Sequence, residues 1–342
     1  MGPTISKEMV GFWLLCWAAE WLKTAKNDKI VLMINLGIFY SNLATVGLII
    51  FLGFILGKKR WIVEHTNRQL TEILLSIAMP AALFMTFPRK FDYNSLNDFL
   101  AGLIGGLFVF LVLIIISRLL FRTKKLHSKA HAHQFAFVFN NASFLGYPLV
   151  YALFGESMLM AYCGFSVVFN IALFSYGIYL FEKKISRETL KKVVFNPNIV
   201  AILLGFLIFI LPYDIVIPEF IDNFLGYIGG IMTPLSLICI GYLLSRANLS
   251  DIWQKKRLFI TCGLQLILGP ILTLGVVSVL GLPTHVKVML VLLQSLPTAT
   301  TLGLFSEKYG GDVVEASEIV MISTLMSVFT LPIMSLVINL IS

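Results

Sequence analysis

Apolar residues fall in ten long blocks along the chain, at 34–57, 69–87, 98–121, 134–153, 157–181, 196–212, 220–245, 257–281, 286–305 and 315–340. A helix needs about 20 apolar residues to cross the hydrocarbon layer. Polar positions inside the blocks are too few to make the polar face a soluble amphipathic helix needs. The pattern predicts an all-α polytopic membrane protein of ten spans. The fourth and ninth blocks are the least uniformly apolar.

Composition agrees. Of 342 residues, 58% are hydrophobic and 13% charged, and the mean hydropathy is +0.89. Soluble domains carry about 25% charged residues, so a soluble fold of this length has no way to hide so much apolar surface. The net charge of +8 does not point to nucleic acid, because the cations collect in short loops. Lys58, Lys59, Arg60 and Arg68 follow the first span; Arg122, Lys124, Lys125 and Lys129 follow the third. Lys183, Lys184, Arg187, Lys191 and Lys192 follow the fifth; Arg246, Lys255, Lys256 and Arg257 follow the seventh. The alternate connections hold only Arg89, Lys90 and Lys287. The positive-inside rule places the basic loops in the cytoplasm of a plasma-membrane protein and, with ten spans, both termini outside.

Residues 1–32 stand apart as an N-terminal extension. The run 9–22, with three tryptophans and lysines behind it, suits an interfacial helix; Met33 as the natural start is a second reading. Cys16, Cys163, Cys239 and Cys262 lie in apolar runs without ligand spacing and read as buried small hydrophobes. His127, His131 and His133 sit among lysines and read as a solvated loop face rather than a metal site.

The two halves share their punctuation. Pro80 and Pro234 are 154 residues apart, and Gly146 and Gly303 are 157 apart. This divides the chain into repeats at 33–192 and 193–342. Five spans per repeat is odd, so tandem repeats sit upside down relative to each other, as in many secondary transporters. Within the fourth span come Asn140, Asn141, Ser143, Gly146 and Pro148. Within the ninth come Gln294, Ser295, Pro297, Thr298, Thr300 and Thr301. Amides and hydroxyls need partners in a medium without water, and proline removes a helix hydrogen bond. Both spans are therefore predicted to break near mid-membrane, the fourth at the turn of Gly146 and Pro148. Their free N–H groups would hold a carboxylate without a buried cation. Pro80 and Pro234 are expected to shape the scaffold or cavity wall. Glu72 and Glu318 read as the deepest carboxylates and as candidates for proton coupling. No P-loop, nucleophile elbow or metal-protease motif is present, so neither ATP-driven transport nor catalysis is indicated.

The stretch Asn-Asn-x-x-Phe-x-Gly-x-Pro-Leu at 140–149 resembles the fourth-span signature of the auxin efflux carrier family. Asn196-Pro197, Pro297-Thr298 and the run from Thr324-Leu325 to Thr330-Leu331-Pro332 are similar to that family too. The resemblance covers about residues 38–342. It implies two inverted five-span repeats in a fold akin to the bile-acid symporters. The fourth and ninth spans would cross at their prolines, placing Asn140, Asn141, Pro148 and Pro297 at the crossover. Family members carry organic anions, including malate and malonate in bacteria and auxin in plants. The plant carriers have a long central loop; here it is short, between 181 and 196, which fits a prokaryotic-type member. The expected partners are the lipid bilayer and a small organic anion, with no nucleic acid, no cofactor and a homodimer left open. Proton and sodium both stand as coupling ions. The alternatives are a sodium-coupled bile-acid-type symporter and a membrane receptor or sensor without flux.

Overall fold

The computed structural model describes residues 36–88, 91–121, 130–183, 187–211, 217–246 and 255–341. The expected interfacial helix at 9–22, Cys16 and the basic run 122–129 lie outside the described residues. Within them the fold is all-helical, with no strand. The helices are α1 (Leu36–Lys58), α2 (Glu64–Met85), α3 (Tyr93–Leu120), α4 (Ala130–Val138), α5 (142–154), α6 (159–182), α7 (Arg187–Val194), α8 (Pro197–Ile210), α9 (Glu219–Gly230), α10 (Met232–Ser245), α11 (Lys256–Val279), α12 (Thr284–Gln294), α13 (Thr301–Tyr309) and α14 (Val313–Ile341).

Helix occurs in each of the ten predicted blocks, among the described residues. Among the described residues, six helices are long and apolar enough to cross a membrane. These are α2, α3, α11, α14, the run α9–α10 and the run α5–α6. The run α5–α6 is 41 residues long. It turns through a 3-10 segment, Gly155–Met158, entered at Gly155 with φ 65°, a conformation that glycine adopts without strain. Ala44–Lys58 of α1, α8 and α12 are shorter apolar helices.

In three helices an internal proline follows a wide turn and the helix does not break. Wide π turns at Leu74–Ala78, Ala142–Gly146 and Leu264–Leu268 precede Pro80, Pro148 and Pro270. A proline cannot donate to the carbonyl four residues back, and its ring clashes there. One extra residue in the turn relieves that clash and bends the helix rather than ending it. The expected break at Gly146 and Pro148 is thus corrected: helix runs through both, and the interruption falls earlier, at Phe139–Asn141. Asn196 and Pro197 start α8: the Asn196 side chain accepts from Asn198 N (2.9 Å) and Ile199 N (3.3 Å), and proline takes the first helical position. Asp92 caps α3 by accepting from Ser95 N at 2.8 Å, and that bond holds its carboxyl below the usual range.

Small residues let helix backbones touch. A Cβ on Gly53 of α1 would lie 2.1 Å from the Ile238 carbonyl oxygen, and one on Gly241 of α10 would lie 2.0 Å from that of Ile50. Gly102 of α3 and Gly164 of α6 meet Ala161 and Phe99 in the same way, at 1.9 Å each. Such approach is how helices associate where water does not drive them together. The helices form two packed groups. In one, α1 lies on α10, and α2 lies on α8 and α9; in the other, α3 lies on α6 and α11, and α14 lies on α11 and α13. Phe110, Phe139, Phe165 and Phe169 fill the second group's core. Leu48, Leu111, Ile115, Leu203, Val279 and Phe329 are among the apolar side chains left on the outside, as a lipid-facing surface requires.

Candidate functional site: the crossing of two interrupted helices

The chain leaves helix twice deep inside the second group. It is non-helical at 139–141 between α4 and α5, and at 295–300 between α12 and α13. The two interruptions meet. Asn141 N–H donates to the Pro297 carbonyl (2.7 Å), and Ala299 N–H donates to the Phe139 carbonyl (2.9 Å). Together they form an antiparallel bridge centred on Asn140 and Thr298. A broken helix in a water-free interior must find partners for its freed backbone groups; here each break supplies the other's.

Side chains complete the lattice. Asn140 is fully buried. Its Nδ2 donates to Gln294 Oε1 (2.8 Å), and its Oδ1 accepts from Ala142 N (3.1 Å) at the start of α5. Ser323 Oγ, from α14, accepts from Thr298 N (3.1 Å). Gln265 Nε2, from α11, donates to the Leu296 carbonyl. Tyr162 OH, from α6, donates to the Ala142 carbonyl (2.9 Å).

The predicted residues converge here. Asn140, Asn141, Ser143, Thr300 and Thr301 line a cleft with Leu75 of α2, and Gln294, Ser295 and Thr298 are buried beside it. Pro297 contributes its carbonyl. Gly146 sits against Leu293, where a Cβ would lie 2.8 Å from Leu293 Cδ2. Pro148 is on α5 beyond the crossing. Four buried polar atoms keep no hydrogen-bond partner: Thr298 Oγ1, Thr301 Oγ1, Gln294 Nε2 and Gln265 Oε1. Unsatisfied buried groups are costly, and their concentration at one place marks where water or a polar ligand belongs. The cleft measures about 10 Å³, room for one water. Two larger cavities flank α5. One, about 480 Å³, is almost wholly apolar and lies against α1, α10 and α14. The other, about 470 Å³, lies against α2, α9 and α10 and is lined by Thr86, Tyr147, Tyr151, Glu156, Thr233 and Pro234 among others. Pro80 is not among its lining residues.

The carboxylates expected to lie deepest do not. The Glu72 side chain is 70% exposed and 3.8 Å from Arg68. Glu318 is part-exposed and pairs with Lys255. The buried carboxylate is Glu315, at 8% exposure, and its partner is His133, at 0%. His133 is therefore not on a solvated loop face, because α11 and α14 close over it. Gln265, Ser323, Tyr162, His133 and Glu315 are the polar groups that sequence reasoning missed. Gln265 alone carried a usable signal, an amide inside a long apolar run. Cys163, Cys239 and Cys262 are buried free thiols.

Apolar helices packed around two crossing interrupted helices mark a multi-pass membrane protein, and interruptions of this kind occur in many transporters. The chain belongs to the membrane transport protein family, that of the auxin efflux carriers, which matches residues 38–190 and 182–335. Among its relatives is an uncharacterised transporter of Methanothermobacter thermautotrophicus, 26% identical over 86% of this chain and 96% of the relative. A Methanocaldococcus jannaschii uncharacterised transporter is 29% identical over 53% of this chain and 61% of its own length. A Rhizobium meliloti protein named "Putative malonate transporter" is 24% identical over 82% of this chain and 90% of its own.

Proposed function

We propose that the protein is a secondary transporter that moves a small organic anion, a mono- or dicarboxylate such as malate or malonate, across the plasma membrane by alternating access. The observation that carries this reading is the crossing itself: two interrupted helices bonded to each other, with four buried polar atoms unpartnered around them. In this reading the chain makes ten spans as two inverted five-span repeats, with the basic loops in the cytoplasm and both termini outside. At the start of α5 the Ala142 and Leu145 N–H groups are taken by Asn140 Oδ1 and the Asn141 carbonyl, and at the start of α13 Leu302 N is taken by the Ala299 carbonyl, which leaves the other first-turn N–H groups of the two helices for a ligand. With the Asn141 amide and the Thr300 and Thr301 hydroxyls they would bind a carboxylate without a buried cation. A cleft of about 10 Å³ is too small for a dicarboxylate. The substrate would therefore approach through the 470 Å³ cavity beside α5, and the crossing would open as the two helix groups shift. The name of the Rhizobium meliloti relative supports malonate as the first compound to try.

A ligand that binds only the folded state raises its stability, by about 2.7 kcal/mol at a hundredfold excess over Kd. In a thermal-unfolding screen of the detergent-solubilised protein, malonate or another short carboxylate should raise the midpoint by several degrees. The same compound should leave Asn141→Ala unmoved. No shift with any mono- or dicarboxylate would count against the reading.

A further inference from the structure

Two cations stand at one end of the second helix group. Helix α3 is 28 residues long, about 42 Å at the α-helical rise. It outruns a hydrocarbon layer of about 30 Å, so its end turns lie at the headgroup level. Arg118 is in the last turn. Its guanidinium sits over the Tyr176 ring of α6, 5.2 Å from the centroid. Tyr176 stacks on Tyr179 (6.3 Å, 25°), and Lys183 Nζ, just past α6, lies 5.9 Å from the Tyr179 centroid. Arginine and lysine thus accompany a pair of tyrosines, the residue mix of a membrane–water interface.

Both cations keep donors for a ligand. Arg118 has five N–H donors, and stacking on a ring occupies the face of the guanidinium rather than its edge. Lys183 Nζ uses one donor on His131 Nδ1 (3.2 Å) and keeps two. Among the described residues neither Arg118 nor Lys183 is in an ion pair. Partial burial lowers the Lys183 pKa below its ordinary value, and the nearby Arg118 charge lowers it further. The two like charges disfavour each other where they stand, and an anion beside them relieves that repulsion. The Tyr176 hydroxyl, on the ring that Arg118 covers, is buried without a hydrogen-bond partner, a polar group that a ligand or its water would satisfy.

The other charges on the packed helix ends do not cancel these two. Glu182 on α6, Lys256 and Arg257 on α11, and Lys308 on α13 are exposed. On α14, Asp312 accepts from Glu315 N, the Glu315 carboxylate meets His133, and Glu318 pairs with Lys255. In sequence, the chain leaving α3 adds Arg122, Lys124, Lys125 and Lys129.

Arg118 stands at the end of the lipid-facing row of α3. Leu107, Leu111 and Ile115 are exposed and follow one another at four-residue spacing, with Arg118 next on the same face. A phospholipid that lays its chains along this row brings its phosphate to the guanidinium edge, and the planar fork matches a phosphate with two parallel hydrogen bonds. A zwitterionic headgroup would bring its own cation against Lys183, so the fit is to an anionic lipid, as basic pockets between membrane helices favour. We propose that Arg118 and Lys183 bind the phosphate of an anionic phospholipid whose chains lie along the Leu107, Leu111 and Ile115 row of α3. This site does not depend on the transporter reading.

The test is native mass spectrometry of the full chain in a neutral detergent, titrated with phosphatidylglycerol or phosphatidylcholine. Wild type should hold one phosphatidylglycerol tightly and phosphatidylcholine weakly. The double variant Arg118→Gln/Lys183→Gln should need about thirtyfold more phosphatidylglycerol for the same occupancy, since each cation near an anionic lipid contributes about a factor of five. Lys58→Gln/Lys59→Gln, which removes two charges from a different basic loop, should bind as wild type does. Should the first double variant fail to fold, Lys183→Gln alone, at an exposed position past the helix end, should still weaken binding about fivefold. Equal phosphatidylglycerol binding by wild type and the Arg118 and Lys183 variants would overturn the site, as would an equal loss in the Lys58 and Lys59 variant. Phosphatidylcholine held as tightly as phosphatidylglycerol would leave the apolar row as the whole of the binding and overturn the role of the cations. Displacement of bound phosphatidylglycerol by equimolar glycerol 3-phosphate would make a soluble phosphate the ligand and overturn the lipid assignment.

Discussion

Asn140 shows how one residue serves both halves of the crossing. Its amide nitrogen donates to Gln294 on the far helix, while its carbonyl oxygen caps the near one. Asn140→Ala removes both bonds and leaves Gln294 Oε1 buried without a donor, a loss of about 1–3 kcal/mol. The variant should unfold at a lower temperature than wild type in detergent, whereas Ser143→Ala, next to it in the cleft, should change stability little; equal midpoints for Asn140→Ala and wild type would contradict this role. At this scale the sequence was legible where polar residues cluster. Asn140, Asn141 and the Gln294–Thr301 run stand out because so many hydrogen-bonding groups in so few positions need a shared explanation. Single polar residues were not legible. Ser323 is one hydroxyl beside Thr324 and Ser327 on an otherwise apolar helix, and Thr324 and Ser327, like Ser117, Ser245 and Thr273, bond to carbonyls one turn back on their own helices. Ser323 makes that local bond too, and nothing local distinguishes its second bond to Thr298. His133 misleads for a related reason: its sequence neighbours are lysines, while the residues that bury it lie 128 and 182 positions away.

At the scale of elements, the apolar blocks located the helices to within a few residues, because block length and helix length answer to the same hydrocarbon thickness. Where a helix stops inside a block was harder to read. Proline marks a weak point, but Pro80, Pro148 and Pro270 are absorbed by a π turn, while Pro297 lies in a true interruption. The difference is the partner. At Pro297 and at Phe139–Asn141, another broken chain replaces the lost bonds; at Pro148 none is needed. Helix pairing depends on glycines with no slack. Gly53→Val or Gly241→Val places side-chain atoms where the opposite backbone already lies. Such overpacking costs about 1–3 kcal/mol or more. Gly47→Ala on the same helix as Gly53 meets nothing within 4 Å and serves as the control. Thermal midpoints in detergent should drop for the two valine variants and hold for Gly47→Ala; a tolerated Gly53→Val would mean that α1 and α10 do not pack as described.

For the whole molecule, the two packed helix groups and the crossing within the second give the transporter reading its mechanical form. The group of α1, α2, α8, α9 and α10 meets the crossing group along α5, and the two large cavities lie on either side of that helix. A shift of one group against the other would open one cavity and close the other, and would widen the cleft at the crossing, whose wall includes Leu75 of α2. Membrane class and family were readable in the sequence, since hydropathy and the 140–149 signature are both local. The contact of His133 with Thr261 and Glu315 was not, because it exists only where α4, α11 and α14 come together. The central claim is that a carboxylate is carried through the crossing. Its most direct test is uptake of labelled malonate into proteoliposomes preloaded with unlabelled malonate. Wild type should accumulate label well above empty vesicles, and Asn141→Ala, inserted at the same level and unfolding at a similar temperature, should fall at least tenfold; label entering at the same rate with both proteins would contradict the account.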